Sequence, residues 1–98
     1  MSFQAIEPYA GQAFRFFFKD PRPDPDSKAA ELNLAACETA YARLSVRHRQ
    51  LLREVYTSGI FPLYRAVKAV SDNTGVDEPE LWSLLKRATK YFAEARGL

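Results

Sequence analysis

One short stretch, Asn73-Thr74-Gly75-Val76-Asp77, limits what this chain can fold into more than any other. It stands between two runs whose apolar residues recur every three or four positions. Before it, Leu63, Ala66, Val67 and Val70 fall on one helical face. After it, Leu81, Leu85, Ala88 and Phe92 do the same, flanked by Leu84 and Ala95. Gly75 can take the left-handed backbone that closes a helix. Asp77 can cap the next helix, and Glu80, three residues on, can reach back to complete a capping box. Pro62 suits the first position of the earlier helix, where its missing N–H would be unpaired anyway. Two helices joined by a short glycine turn make a helix-turn-helix over residues 62–96.

The 98 residues, 47% of them hydrophobic and 27% charged, are enough for one modest core, so a single domain over 1–98 is expected. No apolar run reaches the ~20 residues of a membrane span, and no signal-peptide pattern opens the chain. Cys37 is the only cysteine, which excludes an internal disulfide and a thiolate cluster and points to a reducing cytoplasm. The charge is unevenly spread. Residues 1–40 carry four Lys/Arg against six Asp/Glu, and residues 41–98 carry ten against six. The basic excess therefore lies with the helix-turn-helix and the helix before it.

Three stretches precede that unit. The aromatic-rich segment 1–19 contains Phe3, Tyr9, Phe14, Phe16, Phe17 and Phe18. A short helix is expected from about Pro8 to Phe18; the phenylalanine run would also suit a strand, but nothing later offers it a partner. Residues 20–26, Asp-Pro-Arg-Pro-Asp-Pro-Asp, form a stiff linker, because alternating prolines favour an extended path and forbid helix. The helical body occupies 27–98. Its first helix is expected from an Asp26 or Ser27 cap to about Arg43, with Leu34, Cys37, Tyr41 and Leu44 on one face and Cys37 buried and inert. Ser45 caps the next, Val46 to Ser58, with Leu51, Leu52, Val55 and Tyr56 inward and Gly59 as the stop. Arg43, Arg47, His48, Arg49 and Arg53 take the outward positions.

These residues carry a family resemblance. Leu44-Ser45-Val46-Arg47-His48-Arg49-Gln50-Leu51-Leu52, through Tyr56 and Gly59, resembles the opening of the promoter-reading C-terminal region of bacterial sigma factors. Val70 to Phe92 resembles its helix-turn-helix: Gly75 falls on the turn glycine, Val76 on the aliphatic after it and Asp77 on the usual serine cap. Leu81 matches the core aliphatic of the recognition helix, and Leu85, Arg87 and Ala88 match its leucine-x-arginine-alanine continuation. The ending, Phe92 to Leu98, is similar to that of sigma-like phage regulators of the ArpU type. The likeness covers about half the chain. It implies a DNA-binding transcription regulator of phage-like character, in which Arg47, Arg49, Arg53, Arg65 and Lys68 hold phosphates. Glu78, Pro79, Trp82, Ser83 and Lys86 would then occupy the reading face, with double-stranded DNA as partner and RNA polymerase or another protein beside it. The chain departs from the pattern twice. It is longer between Gly59 and Val70, and its reading helix starts Asp77-Glu78-Pro79-Glu80, where carboxylates face phosphate repulsion.

Plainer roles stand beside these. A solvated basic helix face accounts for Arg47, Arg49 and Arg53 as well as phosphate contacts do. His48, without a second histidine or cysteine, is a surface residue rather than a metal ligand. Trp82 suits half-buried packing or an exposed anchor. Lys86, Arg87 and Lys90 complement the dipole of their own helix. No nucleophile–base pair or phosphate-binding glycine loop is present, so neither an enzyme nor a cofactor is expected. The expected fold is all-α, with four to five helices, the last two a helix-turn-helix of sigma-like type. The competing function is a helical protein-interaction module that docks a protein through its acidic helix start and Trp82.

Overall fold

The structure, a computed structural model, describes residues 2–98. Among these the fold is all-helical: α1 (Phe3–Phe17), α2 (Lys28–Ala42), α3 (Val46–Thr57), α4 (Leu63–Thr74) and α5 (Glu78–Arg96). The longest helix, α5, has 19 residues and is therefore about 28 Å long. It packs against all four others and forms the axis of a body measuring 38 × 31 × 25 Å. Leu81, Leu85, Ala88 and Phe92 are fully buried, as their spacing predicts, with Leu84 and Thr89 beside them, whereas Ala95 is exposed. No described helix is long and apolar enough to cross a membrane.

α1 begins five residues before Pro8, because Ser2 caps it and accepts from the Ala5 N–H. Pro8 sits inside the helix and removes one N–H bond to the carbonyl of Gln4. Both residues are exposed, so that carbonyl faces water. On the other side Ile6, Ala10, Ala13 and Phe14 are buried. Phe14 is the centre of a ring cluster, with Tyr56 at 5.6 Å, Phe92 at 5.9 Å and Phe18 at 6.2 Å between centroids. At Gly11 a Cβ would displace the Glu7 carboxylate and press on the Tyr56 ring. That carboxylate accepts from the Tyr56 hydroxyl at 3.0 Å.

Residues 20–26 hold no helix or strand, and Ser27 opens α2 by accepting from the Ala30 N–H at 3.1 Å. Cys37 is buried on α2's inner side and Leu44 just beyond its end, while Leu34 and Tyr41 are half-buried. Burial pushes the Cys37 thiol up to about 12, so it stays protonated. A polar tie joins three helices: Tyr9 on α1 and Arg96 on α5 both donate to Asn33 Oδ1 on α2, at 2.9 and 2.6 Å. The Tyr9 hydroxyl, held by Arg96 and then by Asn33, ionises below its usual range. Ser45 caps α3 by accepting from the His48 N–H at 3.2 Å.

Candidate nucleic-acid interface

The region in question is α3, α4 and the first half of α5. Three residues, Gly75 to Asp77, separate α4 from α5. Gly75 has φ 77°, and its N–H returns to the Ser71 carbonyl at 2.9 Å. Thr74 Oγ1 donates to the Val70 carbonyl and accepts from the Val76 N–H, so the turn is stitched on both sides. Val76 then drops into the core. Pro62 caps α4 rather than occupying its first turn, and Ala66, Val67 and Val70 are buried as expected.

The expected capping box at α5 does not form. Asp77 makes no side-chain cap bond. A capping oxygen bonds the N–H of the second or third helical residue, and Pro79, the second, has none. Glu80 turns outward from its own helix instead and pairs with Arg47, while His48 Nε2 lies 3.7 Å from the same carboxylate oxygen. The Arg47 guanidinium, more than any other neighbour, holds the Glu80 carboxyl below the usual range. This contact joins the first turns of α3 and α5. A carboxylate suits the positive end of α5, and it offsets the cation that α3 carries at its own positive end.

The ten residues of the expected site separate into groups. Arg47 is held by Glu80. Arg49 forks onto the last carbonyls of α2, donating from Nε to Tyr41 at 2.9 Å, beside the Leu44 N–H that also reaches that carbonyl, and from Nη2 to Ala42 at 3.0 Å, so it helps to close the helix end. Arg53 lies over the Phe18 ring at 5.0 Å. Arg65 and Lys68 are exposed on α4, with no carboxylate of the described residues within 4.0 Å. Along α5, Glu78, Pro79, Ser83 and Lys86 are exposed. Trp82 is half-buried, its ring perpendicular to Phe3 at 6.3 Å.

Two features were not grouped from the sequence. Lys19 and Arg22 stand beside Arg53, brought there by the fold-back of the proline segment. Ile60, Phe61 and Tyr64 are exposed together at the α3–α4 connection, with the Arg15 guanidinium 4.7 Å from the Phe61 ring. Proximity to Gly59 and Pro62 marks that connection in the sequence; nothing marks the first.

No family model matches this chain, nor does any curated protein or solved structure. The site is therefore read from its own chemistry. Among the described residues no three His, Cys, Asp or Glu side chains gather to hold a metal ion. The surface offers exposed cations and a helix edge with small and polar side chains. Such an arrangement can neutralise an extended polyanion and present a helix to it.

Proposed function

We infer that this protein is a small, non-enzymatic, cytoplasmic regulator of transcription that binds double-stranded DNA in a sequence-specific manner, with α5 as its reading helix. One observation carries the reading. The exposed edge of α5 (Pro79, Ser83, Lys86) follows, across a three-residue turn closed by Gly75, a helix whose exposed Arg65 and Lys68 have no acidic partner among the described residues. Helix-turn-helix proteins use a pair of helices in this way, one crossing the phosphates and one entering the major groove. The sigma-like pattern of Leu44 to Gly59 and Val70 to Phe92 supports the same reading.

The phosphate contacts fall mainly to Arg53, Arg65 and Lys68, since Arg47 and Arg49 have internal partners. Glu80, directed at Arg47, removes one of the three acids from the path of the backbone; Glu78 remains exposed and can accept from cytosine N4. The experiment is a titration with mixed genomic duplex at two salt concentrations. Affinity should fall steeply with salt, and Arg65→Gln or Lys68→Gln should each lower the salt slope by about one unit for every sequence tested. Lys86→Ala should instead change the preference among sequences, by about 1–3 kcal/mol at the affected base pair. Absence of duplex retention at low ionic strength would sink this reading.

A second reading, docking to RNA polymerase or another protein, has its own support. The apolar side chains of Ile60, Phe61 and Tyr64 are exposed together, and Glu78 leaves the start of α5 acidic. Trp82 is a weaker anchor for it, because part of its ring is covered by Phe3.

A further inference from the structure

Beyond the α4–α5 pair, the end of α1 and the proline segment fold back beside the middle of α3. Lys19, Arg22 and Arg53 line one cleft of about 350 Å³ there, together with Phe17, Phe18 and Asp20. The three cations belong to separate stretches: one follows α1, one lies between Pro21 and Pro23, and one is on α3. Only folding assembles them. Among the described residues none of the three has a carboxylate oxygen within 4.0 Å, Asp20 included.

Like charges gathered with no ion pair among them repel, even with the Asp20 carboxylate on the same cleft, so the arrangement needs support. Aromatic rings supply it. The Arg22 guanidinium lies 5.2 Å from the Phe17 centroid, that of Arg53 lies 5.0 Å from Phe18, and the Lys19 ammonium is 5.8 Å from Phe16. A ring face steadies a cation while leaving its N–H edge able to donate. Arg22 also donates from Nη1 to the Phe17 carbonyl at 3.1 Å, which fixes one arm and leaves the others. Closing the end of α1 would account for Arg22 alone. It does not account for Lys19 and Arg53 on the same cleft.

We propose that the Lys19–Arg22–Arg53 cleft binds a phosphate group. A tetrahedral oxyanion can accept from three cations at once, whereas a carboxylate has two oxygens in one plane. Donors already ordered by the fold lower the cost of capture. The phosphate comes either from a free phosphate compound or from a nucleic-acid backbone, and only Arg53 is shared with the regulator reading.

The test is a titration of inorganic pyrophosphate into the full chain at fixed ionic strength, followed by the NMR signals of the arginine Nε–H groups and of the Lys19 and Asp20 amides. Saturable shifts centred on the cleft are expected. Arg22→Gln and Arg53→Gln should each weaken binding about tenfold, as loss of a charge-assisted hydrogen bond does. Arg22→Lys, which keeps the charge without the fork, should lose less, and Arg65→Gln should change nothing. A short duplex that displaces pyrophosphate identifies the backbone as the source; a duplex that leaves it bound identifies a free phosphate compound. Saturable pyrophosphate binding without any duplex binding would leave this site standing and remove the regulator reading. Shifts that never saturate and spread over every cation, or equal affinity in Arg22→Gln, Arg53→Gln and the wild type, would overturn the site.

Discussion

α1 and α4 both lie against the central helix, and they are held there very differently. α1 inserts Phe14 among Tyr56, Phe18 and Phe92 and adds polar ties, from Glu7 to Tyr56 and from Tyr9 to Asn33. α4 buries only Ala66, Val67 and Val70. Among the described residues, none of α4's side-chain hydrogen bonds or ion pairs reaches another helix. Large rings and cross-helix hydrogen bonds anchor one helix; a small aliphatic strip retains the other. Few buried contacts mean a low cost of local opening, so α4, which carries Arg65 and Lys68, is the part of the fold best able to adjust to a ligand.

The strongest way to break this contrast is Phe92→Ala, which removes the ring that meets both Phe14 and Tyr9 on α1. With Phe92 fully buried, the loss should be about 3–5 kcal/mol in chemical denaturation. A loss a tenth as large would mean that α1 is no better anchored than α4. A smaller effect is expected at the other end of the comparison. Gly75 has open space around its Cβ position, so Gly75→Val meets only the backbone penalty of a left-handed residue, about 1–2 kcal/mol. Hydrogen exchange should quicken in the last turn of α4 and leave α1 at its former rate; equal quickening in both would erase the distinction.

The smallest effect concerns Cys37, buried on α2 on the anchored side. Its thiol is raised from 9.0 to about 12 in the folded chain, chiefly by burial. A raised value favours the fold while the thiol is protonated. This contribution is fully present below 9.0 and is lost as pH rises from 9.0 towards about 12, where the unfolded chain ionises first. At neutral pH stability should therefore be insensitive to this group. A thiol reagent should label Cys37 only at the rate of global unfolding, and fast labelling of the native protein would show that α2 opens independently.

What the sequence makes legible follows from the range of the forces involved. The starts of α2 and α3 at Ser27 and Ser45, and the turn at Gly75, depend on neighbours within four residues, and all three stand where the pattern puts them. The same holds for Leu81, Leu85, Ala88 and Phe92, whose spacing alone identifies the buried stripe. α1 begins earlier than Pro8 suggests because the Ser2 cap and burial of Ile6 outweigh one missing hydrogen bond. The candidate site was read less well. Glu80 had a local partner on paper and found a better one 33 residues away in Arg47. Arg49 looks outward on a helical wheel, yet its long fork reaches the carbonyls at the end of the preceding helix. Lys19 and Arg22 could not be placed with Arg53 until the path of the proline segment was known.

Because α5 touches every other helix, the order of synthesis matters for this chain. α5 leaves the ribosome after α1 to α4, and until it does, Phe14 lacks Phe92 and α4 lacks the surface that covers its valines. The bond between Tyr9 and Arg96 spans 87 residues, so it closes only once α5 has emerged. The nascent helices must therefore wait with apolar faces uncovered, a state that favours chaperone capture and self-association over early, stepwise folding.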